Sequence, residues 1–336
     1  MRFPSRGCTV FRVLCISSLL CCSETAFCES AAVSPDYDQT AARAIALFHQ
    51  KDYAGATALL QLGLAQAAHG NAPEWEATML GTLGSIYEKT GQYVQAADAL
   101  QRSVSGLTKL RGPGTPTLIG PLGSLGELYA KAGQYSRAEK LLSRALSMTR
   151  AYVQQPEVEA RLLVTLGNVY SREHKDTLAE QAADEALQDF TAMEDRPPDI
   201  SAVYSLLGSL CLNSGRSAEA ESWLQQSLSF RESTLGPDDQ LIGNSAANLA
   251  IFYAWSDQPA KALPLFQRAA AIFEAAGGDT DFVLIFYRRY ADFERKYGHK
   301  KEARELSKRI DQLWTRSAAN TLSRQIVDVS ALESLR

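Results

Sequence analysis

The sequence contains few of the residues that build disulfides or metal sites. Five of its six cysteines lie at or before Cys28, which leaves Cys211 alone in the rest of the chain. A single cysteine excludes a disulfide framework. The four histidines are scattered, with no His-x3-His and no Cys-x2-Cys pair, so neither a metal site nor another cofactor is predicted.

Long apolar runs and an excess of basic charge are also missing. The main apolar run, Val13–Cys22, has about ten residues, whereas a helix that spans a bilayer needs about 20. The 34 basic and 38 acidic residues give a net charge of −4, without the surplus typical of nucleic-acid binding. Only 22 glycines and 12 prolines occur, so the composition is that of a folded chain.

The N-terminal segment has the order of a secretory signal. Three arginines precede the apolar run, and small polar residues follow it. We therefore expect a signal peptide over residues 1–30, cleaved near Cys28–Ser30. Its removal would leave no membrane span and would place the protein in a periplasm or outside the cell. An uncleaved anchor and lipidation at Cys21 or Cys22 are the alternatives.

One block of residues recurs along the rest of the chain. One copy reads Leu83-Gly84-Ser85-Ile86-Tyr87, then Gly91-Gln92-Tyr93, then Ala96 and Leu100, and the next reads Leu125-Gly126-Glu127-Leu128-Tyr129, then Gly133-Gln134-Tyr135, Ala138 and Leu142. The alanine after the turn marks a nearly constant period, at Ala56, Ala96, Ala138, Ala179, Ala220, Ala262 and Ala303. Such a period, about 41 residues, indicates a repeat architecture.

The block has the spacing of two packed helices. Leu83 and Tyr87 share one helix face, and Gly84 between them permits close approach of a second helix. In that second helix, Ala96, Leu100 and Ser103 form one stripe. The glycine of the Gly-Gln-Tyr segment suits the positive φ of a helix end, and prolines mark the junctions between copies.

This block resembles the tetratricopeptide repeat, with its Leu-Gly-x2-Tyr on the first helix and an alanine on the second. A period of about 41 exceeds the usual 34 by about two helical turns, which is similar to kinesin light chain-type repeats. Leu235-Gly236-Pro237-Asp238-Asp239, followed by Asn248-Leu249-Ala250, resembles their linker and helix start. Only Asn248 matches their asparagine, since Thr82, Ser124, Thr165 and Leu206 stand in the other copies.

The resemblance implies an all-α fold, a right-handed α-solenoid of helix-turn-helix repeats. The array is predicted over residues 37–317, as seven repeats at 37–76, 77–118, 119–159, 160–200, 201–242, 243–283 and 284–317. Residues 318–336 would form a tail. Its segment Ile326–Leu332 suggests a strand or a last helix, and the tail is expected either to be poorly ordered or to fold back or pair with another protein.

The resemblance also implies a concave groove lined by the first helix of each repeat, which would bind a peptide or partner protein. The groove candidates are Glu127, Lys131, Arg161, Asn168, Arg172, Asn213, Asn244, Asn248, Trp255, Arg288 and Asp292. Asparagine amides suit an extended peptide backbone, although each could equally be a solvated helix residue or a cap. Trp255 would either anchor a ligand or fill a gap between repeats.

Charge is distributed unevenly along the array. Residues 281–316 contain ten basic and six acidic side chains, whereas the preceding repeats are acidic. A solvated polar cap, which terminal repeats need, accounts for this basic end. Alternatively, Arg288, Arg289 and Arg295 bind an acidic partner or a membrane phosphate.

No motif predicts catalysis. Residues 120–126 resemble a glycine-rich phosphate loop but lack the Lys-Ser/Thr ending, and Ser124 has no histidine partner. Cys211 stands where other copies have tyrosine, which predicts a core residue. The sequence thus favours an exported, non-enzymatic scaffold for protein or peptide binding. A structural module that self-assembles and an assembly factor for an envelope or secretion complex are the alternatives.

Overall fold

The computed structural model describes residues 37–153, 155–194, 196–276 and 281–321, of which Asp281 and residues 316–321 are described by their backbone alone. The predicted signal peptide and residues 322–336 of the predicted tail therefore lie outside the described part of the chain. Within it, the protein is built from α-helices in consecutive pairs, and the predicted all-α repeat fold is confirmed.

Fourteen α-helices make up the described residues. They are α1 (Tyr37–His49), α2 (Tyr53–His69), α3 (Pro73–Lys89), α4 (Tyr93–Arg111), α5 (Ile119–Lys131), α6 (Tyr135–Met148), α7 (Pro156–Arg172), α8 (Asp176–Ala192), α9 (Ile200–Asn213), α10 (Ser217–Thr234), α11 (Gln240–Trp255), α12 (Pro259–Ala275), α13 (Asp281–Lys296) and α14 (Lys300–Thr321). A 3-10 turn precedes α5 (Pro116–Leu118), and a π-helical turn follows α6 (Thr149–Val153). None of the described helices combines the length and apolar character needed to cross a membrane.

Local sequence sets where these helices begin. Proline occupies the first turn of α3, α7 and α12. A backbone N–H in the first turn has no acceptor within the helix, so proline, which lacks this N–H, costs no hydrogen bond there. The carboxylate of Asp52 accepts a hydrogen bond from the Gly55 N–H at 2.9 Å and caps α2. Asp239 caps α11 in the same way, through the Leu241 N–H at 2.9 Å.

The turn within each helix pair places one residue in the left-handed region. These residues, which have φ between 58° and 86°, are Lys51, Gly91, Gly133, His174, Gly215, Asp257 and Gly298. Glycine adopts this conformation without the steric cost that a Cβ atom imposes. The turn therefore has the same geometry in every pair, even where the sequence offers no glycine.

The core follows the repeat period. The alanine on the second helix of every pair is buried, from Ala56 to Ala303. On the first helix, Gly126 faces Leu142 so closely that an added Cβ would lie 2.6 Å from the leucine Cγ. Gly84 and Leu100 repeat this arrangement. The small residues on the first helices allow the two helices of a pair to pack at short range.

Aromatic residues dominate the core at the end of the array. The rings of Phe266 and Tyr290 stack with their centroids 4.8 Å apart, and Phe293 lies 5.0 Å from Phe266. Phe286 and Phe273 meet edge to face at 5.1 Å. Large rings fill the space between α12 and α13.

The array curves far enough for the first and sixth pairs to meet. The Lys51 ammonium, in the turn after α1, lies 3.3 Å from the Asp239 carboxylate at the start of α11. Asp239 is 18% exposed, whereas Lys51 is 74% exposed. An ion pair between residues 188 positions apart shows that the array bends back on itself by the sixth pair.

We expect Gly126→Ala to lower the stability of the full chain by about 1–3 kcal/mol, because its new methyl group would overlap Leu142. Gly120→Ala in the same helix is the matched control. Nothing lies within 4 Å of the Gly120 Cβ position, so its cost should be negligible or its effect slightly stabilising. Urea unfolding followed by circular dichroism compares the two variants. Equal unfolding midpoints would mean that Leu142 has room to move.

Candidate functional site

The first helices of successive pairs lie side by side. α1 contacts α3, α3 contacts α5, and each further first helix contacts the next in the same way through α7, α9, α11 and α13. Side chains on the free side of these helices therefore share one surface, which we call the groove. All the candidate residues lie on these first helices: Glu127 and Lys131 on α5; Arg161, Asn168 and Arg172 on α7; Asn213 on α9; Asn244, Asn248 and Trp255 on α11; Arg288 and Asp292 on α13.

Glu127 and Lys131 belong to an ion-pair cluster between α3 and α5. The Lys131 ammonium lies 2.6 Å from a Glu88 carboxylate oxygen and 2.9 Å from one of Glu127. Lys89 lies 3.5 Å from the Glu127 carboxylate. Glu88 is only 3% exposed, so Lys131 compensates a buried charge. These two candidates are thus engaged by neighbouring protein groups.

The cluster shifts the pKa of its carboxylates in opposite directions. Burial and then repulsion by Glu127 raise the pKa of Glu88 above its usual value. For Glu127, burial also acts to raise the pKa, but attraction by Lys131 and Lys89 outweighs it and lowers the pKa to about 2. Glu127 therefore carries the cluster's stable negative charge.

On α7, two of the three candidates have partners within the protein. The Arg161 guanidinium is 2.5 Å from the Asp199 carboxylate in the junction before α9. The Asn168 amide donates to the Val164 carbonyl oxygen one turn earlier, at 2.9 Å. Arg172 is exposed and forms no ion pair with another described residue. Of the three, Arg172 is the side chain most available to a ligand.

The asparagines differ in burial. Asn213 is exposed at the end of α9, while Asn244 and Asn248 are half-buried on α11. The Asn244 Oδ1 atom is shielded from solvent and accepts no hydrogen bond from a described group. Such an acceptor is costly to leave unpaired. Asn244 and Asn248, one helical turn apart, lie on the same side of α11.

An apolar cavity of about 340 Å³ opens between α9, α11 and α13. Leu212, Ile251, Ala254, Phe266 and Phe293 form its apolar walls, and Trp255, Arg289, Asp292 and Lys296 complete the lining. Trp255 is 63% exposed, so most of its ring faces solvent. The ring therefore lines an open site instead of filling a gap between repeats.

The charges around this cavity are unevenly paired. The Asp292 carboxylate accepts from Arg295 at 2.8 Å, and the Lys296 ammonium donates to Asp257 at 2.8 Å. Arg289 is exposed and has no ion pair with any residue in the described ranges. Arg288 is directed elsewhere, because its guanidinium carbon lies 5.4 Å from the centre of the Trp314 ring.

Sequence reasoning missed several parts of this cavity. Leu212, Ile251 and Lys296 were not among the candidates, and Arg289 was considered only as part of the basic end. Their positions carry a usable signal: Arg289 stands one repeat period after Asn248, and Lys296 stands one period after Trp255. Adding one repeat period to the position of each candidate would therefore have identified Arg289 and Lys296.

A second cavity of about 380 Å³ lies between α1, α3 and α5. Its lining is mostly small or apolar and includes Phe48, Gly81 and Pro121. The hydroxyl groups of Ser85 and Ser124 hydrogen-bond to each other across the first helices at 2.8 Å. Ser124 is thus paired with another serine, which gives it no activating base.

Sequence comparison identifies the repeats. A tetratricopeptide repeat family model matches residues 75–151 and 158–233, which cover α3–α6 and α7–α10 except for one or two residues at the ends of the matched ranges. The helix pairs from α3 to α10 are therefore tetratricopeptide repeats. A search of curated protein sequences found no match.

Solved tetratricopeptide repeat structures share this fold. A Rap protein complexed with Competence and Sporulation Factor has a TM-score of 0.58 at 12% identity, and the match covers 85% of this chain and 99% of that one. A tetratricopeptide repeat protein from Parabacteroides merdae has a TM-score of 0.53 at 17% identity, with 86% and 97% covered. BtubC (BKLC) from P. vanneervenii has a TM-score of 0.51 at 19% identity, with 73% and 93% covered.

Tetratricopeptide repeat proteins are generally non-catalytic scaffolds that bind proteins or peptides. In this chain, Cys211 is 2% exposed, and burial raises the pKa of its thiol, which disfavours the reactive thiolate. Within the described ranges, no group of three or more histidine, cysteine, aspartate or glutamate side chains could hold a metal ion.

We expect Lys131→Met to destabilise this tetratricopeptide repeat array by about 1–3 kcal/mol at neutral pH, because it leaves the buried Glu88 carboxylate without its closest cation. The loss should shrink as the pH falls below neutral, since the raised pKa of Glu88 means that the folded chain takes up a proton at a higher pH than the unfolded chain does. Urea unfolding at several pH values measures this.

The exposed Lys109 provides the matched control, and Lys109→Met should change stability little at any pH. Adding Glu88→Gln to Lys131→Met should recover part of the loss. A loss in Lys131→Met that does not vary with pH would contradict the assigned role of Glu88.

Proposed function

We propose that this chain is a scaffold that binds an extended peptide, or an extended segment of a partner protein, in its groove. The cavity between α9, α11 and α13 is the anchor point of this proposal. The observation that carries it is the mostly exposed Trp255 ring at an apolar cavity whose lining includes Arg289, a residue without an ion pair to any described side chain. An aromatic wall and a free guanidinium are frequent components of binding hot spots.

The cavity suits an apolar side chain of the ligand. A volume of about 340 Å³ lies within the range of small-molecule pockets and exceeds what one large side chain requires. Its walls are the aliphatic and aromatic groups of Leu212, Ile251 and Phe293. Burying a large apolar side chain there would contribute roughly 1.5–3 kcal/mol to binding, from which the entropic cost of ordering the ligand is subtracted.

One polar side chain of the cavity lining suits a carboxylate of the ligand. Arg289 can form a bidentate hydrogen bond with a carboxylate. Arg288 and Arg295 are engaged with Trp314 and Asp292, so Arg289 is the member of the basic end best placed to meet an acidic partner.

The comparisons support this proposal at the level of the fold. The Rap protein is solved in complex with Competence and Sporulation Factor, so a chain with a similar arrangement of repeats holds a second molecule. By contrast, the groove near α5 is occupied by its own ion pairs, among them Lys131 with Glu88. That contrast favours the α9–α13 end as the site of ligand contact.

Binding should be tested by selecting ligands for the full chain from a random peptide library. We expect Trp255→Ala to weaken the selected peptides by about 1–3 kcal/mol, and Arg289→Ala to weaken the acidic ones. Fluorescence anisotropy with labelled peptides measures both affinities.

Tyr152→Ala is the matched control, because Tyr152 is a 60% exposed aromatic residue in the π-helical turn, outside the groove. Circular dichroism should show equal helicity in all variants. Peptides that bind Trp255→Ala and Tyr152→Ala equally well would exclude the cavity as their site.

We infer in addition that the protein acts outside the cytoplasm, in a periplasm or in the extracellular space. The support is the arginine-flanked apolar run Val13–Cys22 and the near absence of cysteine after Cys28. Protein recovered from the producing organism should have an intact mass corresponding to a chain that begins close to residues 29–31. Recovery of the uncleaved chain from the cytoplasm would contradict export.

A further inference from the structure

The cavity between α1, α3 and α5 opens on the same groove as the cavity beside Trp255. It has a volume of about 380 Å³ and is lined among others by Phe48, Thr82 and Gly120. We call it the α1–α5 cavity, and the one beside Trp255 the Trp255 cavity. Both are lined mainly by first helices, which lie side by side along the array. The two cavities therefore belong to one continuous surface.

The walls of the α1–α5 cavity suit an uncharged, apolar occupant. Its described lining includes no aspartate, glutamate, lysine or arginine. The Thr78 hydroxyl already donates to the Glu74 carbonyl oxygen at 3.0 Å, and the Ser85 hydroxyl is bonded to that of Ser124 at 2.8 Å. Ile45, which also lines the cavity, is 43% exposed. An occupant would therefore gain from burial of apolar surface and not from charge.

Small residues leave this space open. Gly81 and Thr82 of α3 and Gly120 of α5 contribute little side-chain volume to the lining. Gly120 is exposed, and an added Cβ atom there would meet no atom within 4 Å. The ion-pair cluster of Lys131 lies at the other end of α5, 11 residues or about 16 Å along the helix. That cluster therefore leaves the α1–α5 cavity open.

The bend of the array brings the α1–α5 cavity towards the start of α11. His49 lines this cavity two residues before Lys51, whose ammonium lies 3.3 Å from Asp239. Asp239 caps the start of α11, and Trp255 is the last residue of that helix. α11 has 16 residues and is thus about 24 Å long. The length of this one helix sets the scale of the separation between the two cavities.

We propose that the α1–α5 cavity is a second anchor site for the peptide that binds at the Trp255 cavity. The ligand class is then an extended peptide with two large apolar side chains. An extended chain advances about 3.3 Å per residue, so a span of about 24 Å separates these side chains by roughly seven residues. This inference rests on the proposed function, because it takes a peptide in the groove as given.

The two cavities differ in charge, which gives the peptide two different ends. Arg289 lines the Trp255 cavity without an ion pair to any described side chain, so an acidic residue belongs beside the apolar side chain that enters there. The uncharged lining of the α1–α5 cavity calls for an apolar side chain alone. Because one chain carries both side chains, the second contact forms at an effective concentration of about millimolar.

Peptides of about 16 residues, selected from a random library on the full chain, are long enough to test two anchors. Gly120→Phe fills the α1–α5 cavity and should weaken the selected peptides about tenfold or more. Gly120→Ala is the matched control, because one methyl group in open space leaves the cavity volume nearly unchanged. Fluorescence anisotropy measures the affinities, and circular dichroism compares the helicity of the variants.

Two further measurements separate a filled cavity from a distorted repeat. Thr82→Trp fills the cavity from α3 instead of α5 and should weaken the same peptides to a similar degree. A shortened peptide that keeps only the apolar and acidic end should bind the unmodified chain about tenfold to a hundredfold more weakly than its parent. It should bind Gly120→Phe as well as it binds the unmodified chain, and it should still depend on Trp255.

The results also separate this inference from the proposed function. Peptides weakened by Trp255→Ala, but bound equally by Gly120→Phe, Thr82→Trp and the unmodified chain, would overturn the second anchor and keep the proposed function. Peptides that are insensitive to Trp255→Ala would overturn both. Two peptides bound per chain, counted by isothermal titration calorimetry, would mean that the cavities act independently and would overturn a single ligand with two anchors.

Discussion

The array depends on close contact between the two helices of each pair, made possible by residues with little or no side chain. Gly84, Gly126 and Gly208 each lie so near a leucine of the second helix that a Cβ atom would overlap it. This contact recurs at the same position of the repeat in these three pairs. The regular stacking of pairs, and therefore the alignment of the first helices into a groove, follows from that local constraint.

The groove has two chemically different ends. Near α5 its charged side chains satisfy one another, with Lys131 held between Glu88 and Glu127. Such a network joins adjacent repeats, and breaking it would leave the buried Glu88 carboxylate without its closest cation, so these side chains are not available to a ligand. Near α11 and α13, Trp255 is exposed and Arg289 has no described partner. The residues that join neighbouring repeats are thus separated along the array from the residues that we propose as the binding site.

The fold could be predicted from the sequence because the Leu-Gly-x2-Tyr block marks the positions where the two helices of a repeat pack, and its period gives the length of the repeat. For the candidate site, the sequence predicted on which helix each residue lies, but it did not predict which groups that residue contacts. The partner of Lys131 lies 43 residues away on the neighbouring helix pair, and helix spacing within one repeat does not reveal such neighbours. Similarly, the sequence left Trp255 as either an anchor or a gap filler, because exposure depends on how α9, α11 and α13 splay apart.

The ion pair between Lys51 and Asp239 bears on how firmly the bend of the array is held. It joins the first pair to the sixth through a charged contact in which the Lys51 side chain is mostly exposed. An ion pair with such an exposed partner contributes at most about 1 kcal/mol, less than twice the thermal energy at room temperature. The curvature of the array therefore depends on the packing of successive helix pairs, and the Lys51–Asp239 contact adds little to it.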